Sequence, residues 1–308
     1  MRIMSRLCAP LYHLLIGALL CLPLVASALD VALVMSQSSG SAQAFAEAFT
    51  TAAVASGHRV AQVEKVGGVL DEAALAGADL VIANGEAALA AVLSKPSRPT
   101  LGVMLGRARF DALSARHPQA ELSAFTLDQP AARQLRLLRA VLPKSEHVGA
   151  LFGDAQAGAK PLQEAAAASG FDLEAATVAS EAELIARLEA VLRRSDAFVA
   201  IPDALLSQPA SARAILLTSY RFQKPVFAFS RAYVDAGALA AVFTTPQQVA
   251  TDVVNWLNGL PPGRLTLPPP RAPESFEIAV NRQVARALGI LLPSDEELLR
   301  LMKKGDKS

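Results

Sequence analysis

The chain has 308 residues, 52% of them apolar, and a formal charge of +1 from 29 basic and 28 acidic side chains. That length supports one large or two medium domains with ample core material. The balanced charge carries neither the basic excess of a nucleic-acid binder nor an acidic tail.

The chain opens on a targeting segment. Arg2 and Arg6 give a positive start, Leu14–Leu24 an apolar run broken by Pro23, and Ala26-Ser27-Ala28 a small-residue cleavage site. Residues 1–28 are therefore expected to be a cleavable signal peptide that exports the protein to the periplasm. The apolar run is short for a membrane anchor. Leu20, just before Cys21, is too large for lipoprotein processing. Cleavage after Ala28 removes Cys8 and Cys21, the only cysteines. A mature chain without thiols suits an oxidising compartment.

Val31–Met35 reads as the first strand, followed by the polar loop Ser36–Ser41 and a helix with Ala42, Phe45, Phe49 and Ala52 on one face. A polar loop that opens a helix offers hydroxyls and backbone N–H groups to an anion such as a carboxylate. Gln37, Ser38 and Ser39 are ligand candidates for that reason. Strands are expected at His58–Val63, Asp79–Ala83, Thr100–Leu105 and Leu122–Thr126, with helices at Asp71–Gly77 and Glu86–Leu93. Asn84 and Gly106 follow the ends of two of those strands, where open α/β sheets bind ligands.

Leu127-Asp128-Gln129-Pro130 reads as a crossing into a second series of strands and helices. Asp128 is expected to cap the next helix, with Pro130 in its first turn, and at the crossing it is also a ligand candidate. That helix carries Arg133, Arg136 and Arg139 at helical spacing, which reads as a solvated face. Val148–Phe152 and Leu173–Val178 are strands, and Glu181–Arg194 is a strongly amphipathic helix.

Ala197–Phe243 then gives three short apolar runs, Ala197–Ile201, Val226–Phe229 and Ala238–Phe243, the first two joined by a helix. Such runs read as buried parallel strands. Asp203, Ser230 and Tyr233 lie just past strand ends, and Phe152 ends an earlier strand. An aromatic wall with a few polar groups suits a small organic ligand. Asp203 and Phe152 have competing structural readings, as a cap and as a core residue.

A helix from Thr245-Pro246 carries Val249, Val253, Trp256 and Leu257 on one face and stops at Gly259. A proline-rich extended piece, a last strand at Phe276–Val280, and short helices capped by Asn281 and by a Ser294/Glu297 capping box complete the chain. Lys303–Ser308 is expected to fray.

Catalytic patterns are missing. His58, His117 and His147 have no metal-ligand spacing, and no glycine-rich phosphate loop or serine-elbow motif is present. No cofactor is expected. An exported α/β enzyme is the weaker alternative, since no nucleophile, acid and base converge.

Ile201-Pro202-Asp203, Lys224-Pro225-Val226, Ala236-Gly237-Ala238 and Phe276–Pro293 together resemble the substrate-binding proteins of ABC transporters, with the type I periplasmic-binding-protein fold. The resemblance spans about Glu146 to Pro293 and rests on order and spacing. It implies an α/β fold of two doubly wound, Rossmann-like lobes with a hinge crossed three times. The crossings fall near Leu127–Gln129, Phe243–Pro246 and Leu265–Pro270. The lobes are then 29–127 plus 244–268, and 128–243 plus 269–308. It further implies a small-molecule ligand (an amino acid, small carboxylate or nucleoside-like compound) held between the lobes. The partner is an ABC permease, or alternatively a membrane sensor, and no nucleic acid.

Overall fold

The computed structural model describes residues 28–35, 40–64, 70–95, 98–153 and 159–304. The first sheet contains β1 (Asp30–Met35), β2 (Arg59–Glu64), β3 (Leu80–Asn84), β4 (Thr100–Val103) and β5 (Leu122–Phe125), all parallel in the order β2-β1-β3-β4-β5. Its helices are α1 (Gly40–Ala55), α2 (Glu72–Ala76), α3 (Glu86–Leu93) and α4 (Arg107–Arg116). The apolar run of β1 is buried on both faces. Val31 and Leu33 pack with Phe45 and Phe49 of α1, while Ala32 and Val34 pack with Leu89 of α3 and Phe110 of α4. The two-residue period of a strand divides one continuous apolar run between two cores.

The second sheet contains β6 (His147–Phe152), β7 (Asp172–Thr177), β8 (Ala197–Val199), β9 (Val226–Ala228), β10 (Ala240–Phe243) and β11 (Glu277–Val280). Their order is β11-β10-β9-β8-β6-β7, parallel except for β11 against β10. On one face α5 (Ala131–Val141), α6 (Ala159–Ala168) and α12 (Asp295–Lys304) pack with Val148, Ala150 and Phe152. On the other, α7 (Glu181–Leu192), α8 (Pro209–Arg221) and α9 (Arg231–Asp235) pack with Leu151 and Phe198. α10 (Pro246–Asn258) leaves this lobe and lays Val249, Val253 and Leu257 into the core shared by β1 and α1. The short α11 (Arg282–Ala287), capped by Asn281, follows β11. Among the described residues no helix is long and apolar enough to cross a membrane.

Three segments join the lobes, and one chain of hydrogen bonds ties them. The Gln129 amide donates to Thr244 Oγ1 at 2.6 Å, and that hydroxyl donates to the Ser275 carbonyl at 2.7 Å. Arg133 donates to Gln129 Oε1 at 2.7 Å and to the Pro273 carbonyl at 3.2 Å, with its guanidinium 4.5 Å from the Phe276 ring centre. Asp252 on α10 accepts from the Glu274 N–H and the Ser275 hydroxyl at 3.1 and 3.2 Å.

These bonds correct the solvated-face reading of the α5 arginines. Arg133 is only 7% exposed in the hinge. Arg136 donates to the Met302 carbonyl, and Arg139 lies over Phe171 and donates to the Ser145 carbonyl at 2.6 Å. Each guanidinium finds carbonyls at the ends of other elements, which sequence periodicity does not reveal. Asp128 does not cap α5; Pro130 holds that position with no side-chain cap. The capping box of α12 is half formed. Ser294 Oγ accepts the Glu297 N–H at 3.1 Å, while the Glu297 carboxylate turns to Arg300 at 2.6 Å. α4 has no counterpart in the sequence reading, because Phe110 and Leu113 are its only buried residues amid charged neighbours. α12 stays helical through Lys304, and residues 305–308 lie outside the described residues.

Gly149 sits in the middle of β6, where a Cβ would meet Ser195 Oγ at 2.6 Å and Val191 Cγ1 at 2.7 Å. Gly149→Ala is expected to lower stability by about 1–3 kcal/mol through overpacking, read as a shift in urea midpoint with unchanged slope. An unmoved midpoint would show that α7 yields freely at this contact.

Candidate ligand cleft

Chain connection sets the two carboxyl edges against each other. β5 ends at its carboxyl edge, and after five intervening residues α5 begins at the carboxyl edge of the second sheet. β10 likewise ends beside the start of α10, at the carboxyl edge of the first sheet. Both direct crossings thus join carboxyl edges, the usual ligand position in open α/β sheets.

On the first lobe, β3 ends at Asn84, which is 2% exposed. Its Nδ2 donates to the Ala42 carbonyl at 2.9 Å, while its buried Oδ1 has no hydrogen-bond partner among the described residues. Gly85 follows with φ 95°, a positive-φ conformation that glycine adopts without strain, and α3 starts there without a side-chain cap. β4 leads to Met104, a non-glycine residue with φ 56°, and then to Gly106 at the start of α4. Asp128 closes that helix start, its Oδ2 accepting the Arg107 N–H at 2.5 Å. Burial pushes the Asp128 carboxyl above its usual range, against the opposing pull of the Arg107 N–H. Gln37, Ser38 and Ser39 lie outside the described residues.

On the second lobe the polar candidates hold backbone. Asp203 Oδ1 accepts the Leu205 and Leu206 N–H groups at 2.8 and 3.0 Å, and Oδ2 accepts the Gly153 N–H at 2.9 Å. Asp203 therefore clamps the turn after β8 to the end of β6. Ser230 caps α9 by accepting the Tyr233 N–H at 3.3 Å. Tyr233 is 7% exposed and meets Phe229 edge to face at 5.4 Å. Burial pushes its phenol up to about 12, so it stays protonated. Phe152 lies in the core beside Leu138 and Leu162 rather than on the edge. β6 alternates, and the register of Val148 and Ala150 sends Phe152 to the same buried face.

Two cations at the edge were not read from the sequence. Arg231 begins α9, lies 5.3 Å from the Phe243 ring centre and pairs with Glu277 at 3.7 Å. Arg271, on the returning hinge segment, lies 4.1 Å from the Phe125 ring centre. Arg231 directly follows the strand-terminal Ser230, which is a local signal. Arg271 has none, since its neighbour Phe125 is remote in sequence. Among the described residues no group of three or more His, Cys, Asp or Glu side chains is placed to hold a metal. The edges bring together an amide, guanidinium groups and aromatic rings, the donors and walls of a binding site.

Two α/β lobes joined by three crossings, with their carboxyl edges facing, define a hinged binding protein of the type I periplasmic fold. The family model for ABC transporter substrate binding proteins matches residues 122–304, and the chain belongs to that family. Solved structures agree on the fold. A conserved domain protein from Vibrio cholerae shares 19% identity at TM-score 0.59, covering 89% of this chain and 98% of its own. The ABC domain from Streptococcus pneumoniae in complex with L-Trp shares 19% at TM-score 0.58, with the same coverage. A ligand-free, open substrate binding protein with adhesive properties from Clostridium difficile shares 17% at TM-score 0.66, covering 87% and 97%. No curated protein sequence matches the chain.

Because the folded pKa of Asp128 lies above the unfolded one, its contribution to stability is full below the unfolded value and is lost as pH rises through the folded value. Asp128→Asn keeps an acceptor for the Arg107 N–H and removes the charge. The variant is expected to gain stability over wild type as pH rises through that window, read from urea midpoints at stepped pH. A difference that does not change with pH contradicts the assignment.

Proposed function

We propose that the protein is an exported solute-binding protein. It captures a small organic ligand between its lobes and presents the closed form to an ABC permease. The observation that carries the reading is the Asn84 amide, buried at the cleft edge with its Oδ1 unpaired. The bond from Nδ2 to the Ala42 carbonyl fixes which amide atom is free, so the free atom is an acceptor. A buried acceptor without a donor costs free energy. A ligand ammonium, amide or hydroxyl supplies that donor when the lobes close.

The uncapped start of α3, one residue along, offers backbone N–H groups to a carboxylate. Donor and carboxylate together describe an amino acid, which we place ahead of a simple carboxylate or nucleoside-like ligand. The Streptococcus pneumoniae protein of the same fold is in complex with L-Trp, an amino acid. Family membership supports the permease as partner. The leader at residues 1–28 supports export to the periplasm.

Calorimetric titration of an amino-acid panel, including L-Trp, is expected to find a saturable ligand. Asn84→Ala should weaken it by about tenfold, the value of one buried hydrogen bond to a charged donor. Small-angle scattering should show a smaller radius of gyration on saturation, as hinge closure requires. Binding that ignores Asn84→Ala, or that leaves the radius unchanged, rejects this reading.

A further inference from the structure

A cavity of about 860 Å3 lies between α8 and α9, and every residue lining it belongs to the second lobe. It starts at Ser207 and Ser230 on the carboxyl edge and runs between the helices to Leu217 and Ala236. The cause is local. α9 has only five residues, and the facing positions Ala210, Ala212, Ala232 and Ala236 carry small side chains. Leu216, Leu217, Phe229 and Tyr233 supply apolar walls. Leu217 remains 60% exposed, so this face of α8 has no partner among the described residues.

The groove has one charge. Arg213 lines it, and among the described residues makes no ion pair, hydrogen bond or aromatic contact. No acidic side chain lines the groove. The Ser230 hydroxyl accepts from Tyr233 N–H and keeps its own proton to donate. We propose that this groove is a second ligand site, separate from the interlobe cleft, for an amphipathic organic anion with one carboxylate on an apolar body. The volume falls within the range of about 300–1,000 Å3 that holds a single small ligand. An apolar wall next to one unpaired guanidinium matches a single anionic head, which a guanidinium grips with paired N–H donors. The buried phenol of Tyr233 stays neutral and adds no opposing charge. Because both walls come from one lobe, the site does not depend on hinge closure.

Decanoate titrated into the purified protein by calorimetry tests the site, with decan-1-ol as the uncharged comparison. Decanoate is expected to bind saturably, one per chain. Arg213→Gln, a change at an exposed position, should weaken it by about tenfold. Decan-1-ol should bind more weakly than decanoate by a similar factor. Ala232→Leu, which fills the groove while leaving the other side chains in place, should abolish binding with an unchanged melting temperature. Asn84→Ala should bind decanoate as wild type does. The proposal is overturned if decanoate shows no saturable binding, or if neither groove variant alters it. Loss of decanoate binding in Asn84→Ala would move the anion to the cleft. A concentration-dependent dimer that Ala232→Leu dissolves would assign the groove to a second copy of the chain.

Discussion

The Gln129–Thr244–Ser275 hydrogen-bond chain is the constraint on which the two-lobed arrangement depends. It passes through all three crossings in sequence and links each to the next. Arg133 adds its own bonds to the first and third, and Asp252 anchors the third to α10. Gln129, Arg133 and Asp252 are all buried, at 8%, 7% and 6% exposure. Breaking any member leaves polar groups unpaired in a largely buried site, which costs more than the bond itself contributes. The three crossings are therefore bonded to one another at a single level between the lobes. The crossings also explain why the carboxyl edges face. Two crossings are short, and both begin where a strand ends.

That geometry divides the edge residues into two kinds. Asp128, Asp203 and Ser230 each accept a backbone N–H where a strand gives way to a helix or turn. Their acceptor oxygens set the shape of the edge. Asn84, the start of α3 and Arg231 retain capacity directed at something outside the local backbone. A strand-end polar residue is thus a weak indicator of ligand contact, because the same residue types cap helices. Gly153 illustrates the packing behind this. A Cβ there would lie 2.5 Å from Asp203 Oδ1, so the clamp requires glycine on the opposing strand end.

Most of the framework was legible in the sequence, because buried parallel strands are continuous apolar runs and their helices carry clear apolar faces. Val31–Met35, Glu86–Leu93 and the Pro246 helix are read correctly for that reason. What was illegible depends on distant partners. Arg133 looks like a surface residue until Pro273 and Phe276, far along the chain, close over it. α4 is too polar to show a face, since its neighbours cover only Phe110 and Leu113. At the cleft, Asn84 was legible as a strand-end residue. Its unpaired oxygen was not, because that follows from Nδ2 being turned to Ala42. Arg271 was equally hidden in a proline-rich segment whose ring partner is on β5.

The brevity of α9 connects the cleft with the side of the second lobe. Its first residues, Ser230 and Arg231, belong to the carboxyl edge, while Ala232, Tyr233 and Ala236 form one wall of the groove beside α8. A longer helix would cover that face and close the groove, but it would not change the strand end where Arg231 sits. Five residues give little internal helical stability, so α9 is held by its surroundings. Ser230 caps it, and the ring of Tyr233 packs against Phe229. Asn281 Nδ2 takes the carbonyl of Val234 at 3.1 Å. An occupant of the groove therefore presses on the same short helix that positions Arg231 at the cleft, and the two surfaces share one small structural element.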